Sequence, residues 1–121
     1  MEYAVLAMPH RGRLATLVVL NDYPFRNLLY KVRGGNDIPD DIKERIDDIP
    51  THIAVSSTNK FSSGGDVHKN NPITLTMIHN PSHLESQNAI SMGKTKAKQE
   101  DFGNWRKVLN IQGHGDAAFT G

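Results

Sequence analysis

The sequence predicts an α/β fold with a parallel sheet, and three observations lead to this class. Strand-like and helix-like segments alternate, glycine and proline separate them, and 121 residues allow one ordinary domain. Strands that alternate with helices typically run parallel, because each helix returns the chain to the same end of the sheet. We therefore expect a parallel sheet flanked by helices.

The first part of the chain is predicted to form one strand and two helices. Residues 3–8 (YAVLAM) are apolar and stop at Pro9, which indicates a short buried strand. The apolar residues 14–20 predict a helix after the break. Pro24 suits the first turn of a second helix over Phe25–Val32, whose apolar residues recur at helical spacing.

The middle of the chain is predicted to carry little regular structure. Residues 34–51 contain an acidic segment with spaced isoleucines, which we expect to form one or two exposed helical turns. From residue 51 to residue 71 the composition turns to Ser, Thr, Asn and Gly with almost no periodicity. A long loop is predicted there, and loops of this length in compact domains are usually functional or disordered.

The last part of the chain returns to alternating strands and helices. Residues 72–78 combine β-branched side chains with alternation, which predicts a strand. Ser82 and Glu85 have the spacing of a capping box, so we expect a helix to begin at Ser82 and to end near Gln99. A short strand over residues 108–111 and a turn that opens a last helix complete the pattern.

Composition excludes several classes of function. With 14 Lys and Arg against 13 Asp and Glu, the net charge of +1 provides no broad basic surface for nucleic acid or an anionic membrane. The longest apolar run is far shorter than the roughly 20 residues that span a bilayer. The absence of cysteine excludes disulfides and thiol nucleophiles. None of the six histidines has a recognised metal-ligand spacing, so we expect no zinc site.

Two segments at predicted strand ends carry candidate binding residues. Asp116 lies among glycines and alanines, where its carboxylate could bind magnesium held against a diphosphate, or could simply cap a helix. His10, Arg11 and Arg13 follow the first strand, at the end where open α/β sheets bind ligands. They suit a carboxylate or phosphate, and the alternative is a solvated basic loop.

Four segments together resemble a known family. They are MPHRGRL at 8–14, NPSHLE at 80–85, GKTKAKQ at 93–99 and HGDAAFTG at 114–121. Their order and approximate spacing are similar to those of the thiamine-diphosphate-dependent first component of the 2-oxoglutarate dehydrogenase complex. The LTMIHNPSHLE and GKTKAKQ segments are most similar to the 2-oxoadipate dehydrogenase type. The resemblance implies that residues 1–121 are the N-terminal part of a transketolase-like domain, truncated at both ends.

The resemblance implies an enzymatic activity and its partners. It implies a fragment of an enzyme that decarboxylates 2-oxoglutarate or 2-oxoadipate with thiamine diphosphate and magnesium. The acyl group would pass to a lipoyl-bearing second component, and the full-length protein would be a homodimer in the mitochondrial matrix, although no transit peptide is evident in the first residues. The alternative is a non-enzymatic α/β fragment that binds a partner, because family members continue past Gly121 to the rest of the cofactor site.

The resemblance also implies which residues meet the substrate. His10 in the HRGR segment would bind it, and residues 48–57 match the family's GDVxxHxxxSS segment. This match makes His52 the second substrate histidine and Ser56 an active-site neighbour. Residues 65–67 copy the GDV letters but lack the histidine and serine pair that follows, so we expect the role to fall on His52.

Cofactor contacts are implied for residues at the two strand ends. Arg13 would contact thiamine diphosphate, with Arg11 as the second candidate. Asp116 in the GDAAF segment would be the magnesium ligand, and Ala117 beside it would lie at the cofactor.

Overall fold

The computed structural model describes residues 1–36, 49–60, 72–80 and 85–120, which form a sheet with helices on both faces. The strands are β1 Tyr3–Ala7, β2 Val55–Lys60, β3 Pro72–Met77 and β4 Val108–Gln112. The helices are α1 Arg13–Asn21, α2 Phe25–Val32, α3 Ser86–Asp101 and α4 Asp116–Thr120. Short 3₁₀ helices cover Pro50–His52 and Trp105–Lys107.

The sheet has the strand order β2-β3-β1-β4, with β1 at its centre. β1 pairs in parallel with β3 and with β4. The predicted α/β class with parallel strands is therefore confirmed. β2 runs antiparallel to β3 at one edge, with Val55 opposite Met77. An antiparallel edge strand on an otherwise parallel sheet is common in α/β folds.

The prediction of an uninterrupted loop over residues 51–71 is wrong for residues 55–60, which form β2. Polar composition concealed this strand, because its hydroxyl side chains pair across the ladder with hydroxyls of β3. Ser56 Oγ lies 2.7 Å from Thr76 Oγ1, and Thr58 Oγ1 lies 2.9 Å from Thr74 Oγ1. Threonine pairs of this kind stabilise neighbouring strands without an apolar pattern.

The other predicted elements are largely confirmed. The observed β1, α1, α2, β3 and β4 match the predicted segments to within a residue or two. The acidic segment over residues 37–48 lies outside the described residues, and so does Ser82, where we expected a helix to begin. The described helix runs from Ser86 to Asp101, two residues beyond the predicted end. None of the described helices combines the length and apolarity needed to cross a bilayer.

The core lies on both faces of β1, because all five of its residues are buried. On one face Ala4 and Leu6 pack with Leu17 of α1 and with Leu75 and Met77 of β3. The alternate residues of β1 form a second cluster on the other face with Ile78 and Val108. A strand covered on both faces reads as a continuous apolar run, which is why the sequence signal for β1 is clear.

Polar side chains join α3 to the sheet. The buried residues of α3 are Gln87, Ser91 and Thr95, which recur every four residues along one side of the helix. Ser91 Oγ donates to Asn88 O at 3.0 Å and accepts from Gln112 Nε2 of β4 at 2.9 Å. Hydrogen bonds therefore contribute where most α/β proteins use an apolar stripe.

We expect Ser91→Ala to destabilise the chain by about 1 kcal/mol, because it removes the buried hydroxyl that accepts from the amides of Gln112 and Asn110. Urea denaturation of the wild type and the variant measures the change in unfolding free energy. Ser86→Ala, at an exposed position on the same helix, is the matched control. Equal losses in the two variants would contradict a special role for Ser91.

Candidate functional site

The carboxyl ends of the parallel strands bring three loops to one edge of the sheet. Ile78 N donates to Leu6 O at 3.0 Å, and Gly113 N donates to Ala7 O at 2.8 Å. Through these bonds, the residues just after β3 and just after β4 are both attached to the carboxyl end of β1. Because β2 is antiparallel, the residues that precede it, including His52, approach the same edge from the opposite direction. Open α/β sheets bind ligands at this edge.

Arg13 connects the residues that follow β1 and β3 with those that precede β2, from inside the protein. Its side chain is 0% exposed, although arginine is almost never fully buried. Nη1 donates to Met8 O at 3.2 Å, and Nη2 donates to Ile53 O at 2.7 Å and also to Ile78 O. Burial lowers the pKa of Arg13 to about 10, so the guanidinium is still charged at neutral pH.

Gly12 places Arg11 and Arg13 in different environments. Its φ of +77° lies in the left-handed region that favours glycine, and α1 begins at the next residue. Arg13 then turns inward to backbone carbonyls, whereas Arg11 is exposed and lines a cavity. The role predicted for Arg13 as a cofactor contact stays a prediction, and the geometry adds a structural role that spacing did not indicate.

A cavity of about 590 Å³ lies between the loops that follow β1 and β4. Its lining residues are Met8, Pro9, His10, Arg11, Gly113, His114, Gly115, Asp116, Ala117 and Ala118. The structure therefore brings His10 and Arg11 together with Asp116 and Ala117, which the sequence placed at two separate strand ends. Basic, imidazole and carboxylate groups in one cavity suit a ligand that carries both anionic groups and a bound cation.

The position of Asp116 suits a carboxylate that binds a metal ion as the one protein ligand from this cavity. α4 begins at Asp116 itself, so its carboxylate lies in the first turn and not at the residue before the helix. Within the part of the chain that the structure describes, no three His, Asp or Glu side chains gather as a metal-binding group. Magnesium commonly keeps waters and binds one or two carboxylates together with phosphate oxygens. The donor set suits magnesium brought by a diphosphate rather than a cage formed by these residues alone.

The glycines beside Asp116 leave space in the cavity. A Cβ at Gly115 would meet no atom within 4 Å, and one at Gly113 would contact Met8 Cβ at 3.5 Å. Both residues line the cavity. A phosphate group can therefore approach the backbone of this loop closely, as glycine-rich loops before helices allow.

His10 contacts a residue that the sequence analysis did not select as a site residue. Asn80 Nδ2 lies 3.0 Å from His10 Nδ1, and Asn80 is buried. Asn80 follows β3 as His10 follows β1. Its position just beyond a predicted strand of a parallel sheet was the signal that could have identified it.

Ser56 lines a second cavity, and His52 contacts another residue of its lining. His79 Nδ1 is 3.0 Å from His52 O, so the backbone of His52 is joined to the loop after β3. Ser56 and His79 line a cavity of about 440 Å³ with Lys94 of α3. Of the two predicted substrate histidines, only His10 lines the larger cavity, and the roles of His52 and Ser56 stay predictions. Residues 65–67, the rival match, lie outside the described residues.

The chain was compared with protein-family models and with curated proteins. A scan against protein-family models finds no match. All of the chain aligns, at 37% identity over 123 residues, with a protein from Dictyostelium discoideum named probable 2-oxoadipate dehydrogenase complex component E1 homolog. This chain is also 37% identical over 132 residues to the proteins named 2-oxoglutarate dehydrogenase E1 component in Brucella ovis and Brucella suis.

The chain spans 13% of the length of the Dictyostelium protein and 12% of the Brucella proteins. The similarity extends over the whole chain, and the α/β sheet with parallel strands agrees with a fragment of such an E1 protein. The chain is homologous to the 2-oxoglutarate and 2-oxoadipate dehydrogenase E1 proteins. The resemblance predicted from the four segments is confirmed.

We expect Arg13→Met to destabilise the chain by about 3 kcal/mol or more, because one buried and two partly buried carbonyls lose a charged donor. Thermal and urea unfolding measure the loss. Arg13→Lys should recover only part of it, since one ammonium cannot reproduce the planar fork of arginine. Arg33→Met, at an exposed position, is the control, and a loss at Arg13 no larger than at Arg33 would contradict the role described.

Proposed function

We propose that this chain contributes one wall of the active site of a 2-oxo acid dehydrogenase E1 component. The substrate would be a 2-oxo dicarboxylic acid of the 2-oxoglutarate or 2-oxoadipate kind, and the cofactors would be thiamine diphosphate and magnesium. The main supporting observation is that His10 and Arg11, which follow β1, share a cavity with Asp116 and Ala117, which follow β4.

The residues of the cavity divide into two groups by chemistry. Asp116 offers an oxygen ligand for magnesium, while Arg11 and the backbone near Ala117 offer positive charge and donors to a diphosphate. His10 offers an imidazole to a substrate carboxylate. When bound, thiamine diphosphate would supply a carbanion nucleophile and an electron sink for the loss of carbon dioxide. The residues of this chain would bind, orient and balance charge.

The assembly proposed for the whole protein follows from its relatives. The acyl group would pass to a lipoyl-bearing second component, and the full-length protein would be a homodimer. For a eukaryotic source we propose the mitochondrial matrix as its location. The Dictyostelium relative is named as a component of a 2-oxoadipate dehydrogenase complex, which supports a partner of this kind.

We expect Asp116→Asn to remove cofactor-induced stabilisation while leaving the cofactor-free protein intact. Asparagine is a weaker neutral ligand than aspartate, and linkage requires a smaller stabilisation when binding weakens. The test uses a chimaera of the Brucella ovis E1 component in which this chain replaces the aligned segment. Thermal melts with and without magnesium and thiamine diphosphate measure the shift.

The control for this experiment is Asp22→Asn, at an exposed aspartate that ends α1 in a left-handed conformation, which asparagine tolerates. Both variants should melt within about 2 °C of the chimaera without cofactor. Equal cofactor-induced shifts in the two variants would remove Asp116 from the magnesium site.

We expect His52→Ala in the same chimaera to raise KM for 2-oxoglutarate by about tenfold or more while the cofactor-induced shift is unchanged. The reason is that its proposed partner is a substrate carboxylate and not the cofactor. Steady-state kinetics and thermal melts separate the two effects. If His68→Ala produces this pattern and His52→Ala does not, the match of residues 48–57 is wrong and the rival match is correct.

A further inference from the structure

The side chain of Asn80 contacts the imidazole ring of His10. The role that we assign to this contact rests on the proposed function. Asn80 is 3% exposed, and its Nδ2 lies 3.0 Å from His10 Nδ1. The backbone just before it is fixed, because Ile78 N donates to Leu6 O and Ile78 O accepts from Arg13. The amide is therefore placed by the sheet edge itself.

The chemistry of this contact determines where the ring proton lies. In the structure the amide nitrogen of Asn80 faces Nδ1 of His10, and an amide nitrogen donates and does not accept, so this orientation makes Nδ1 the acceptor and leaves it without a proton. The proton of the neutral ring then lies on Nε2. Among the described residues, Nε2 of His10 has no hydrogen-bond partner, and His10 lines the larger cavity. This nitrogen can therefore donate to a bound ligand.

We infer that Asn80 is a positioning residue that holds His10 as its Nε2–H tautomer, so that the imidazole donates a hydrogen bond to a carboxylate of the 2-oxo dicarboxylic acid. A carboxylate accepts hydrogen bonds and donates none. The opposite tautomer would present a nitrogen lone pair to it and repel it. Asn80 thus favours an anionic acceptor at this position and disfavours an amine, without contacting the ligand.

The tautomer is measured directly on the 121-residue chain by ring ¹⁵N–¹H correlation NMR, with His10 assigned from the signals lost in His10→Gln. The wild type should show a protonated Nε2 and an unprotonated Nδ1. Asn80→Asp should move the proton to Nδ1, because a carboxylate can only accept from it. Asn80→Leu should leave His10 with the tautomer mixture of a free imidazole. Asn27→Asp, exposed on α2, should change nothing.

The ligand is tested by steady-state kinetics in the Brucella ovis chimaera, with 2-oxoglutarate as the substrate. Asn80→Asp should raise KM on the order of tenfold. The change in kcat should be smaller, and the stabilisation by magnesium and thiamine diphosphate should be unchanged. Thermal melts verify that each variant is folded. If Asn80→Asp does not fold, Asn80→Leu replaces it in the kinetic measurement.

The outcomes separate this inference from the proposed function. A wild-type His10 protonated on Nδ1, or a tautomer insensitive to both Asn80 variants, overturns the inference whatever the chimaera does. An active chimaera whose KM is unchanged by Asn80→Asp overturns it while the proposed function stands. An inactive but folded chimaera overturns the proposed function, and the NMR result then shows whether Asn80 still controls the tautomer.

Discussion

The guanidinium of Arg13 holds three stretches of backbone that are distant in sequence. Its acceptors lie 5, 40 and 65 residues away along the chain, and all belong to segments that begin or end a strand at one edge of the sheet. Burial of a charge costs free energy unless hydrogen bonds offset it, and these carbonyls do so. Met8, one of these acceptors, also lines the cavity, so the wall formed by the loop after β1 depends on this buried cation.

Residues 10–13 contribute side chains both to the cavity and to the protein interior. Gly12 reverses the backbone between Arg11 and Arg13, so one arginine faces the cavity and the other faces the interior. His10 in turn contacts Asn80, which follows the adjacent strand β3. A basic segment of four residues thus supplies both the support and the lining of the site, which explains why composition alone suggested a solvated loop.

The parts of the fold that depend on apolar patterning were predictable from the sequence. β1 is apolar on both faces and α2 repeats its apolar residues at helical spacing, so both were located correctly. β2 was missed, because hydroxyl pairs across the ladder leave no hydrophobic period. The contacts of Arg13 and Asn80 were also missed. Arg13 with Ile53 and Asn80 with His10 join residues 40 and 70 positions apart, and local spacing carries no information about such partners.

The polar contact between α3 and β4 also affects how the helix can move. A helix that rests on an apolar stripe can slide or rotate at small cost, because dispersion and burial have no direction. The hydroxyl oxygen of Ser91 accepts from the amide of Gln112 at 2.9 Å, and a slip of one helical turn would break this bond at a fully buried hydroxyl. The directional bonds from Asn110 and Gln112 to Ser91 therefore favour one register of α3 on β4.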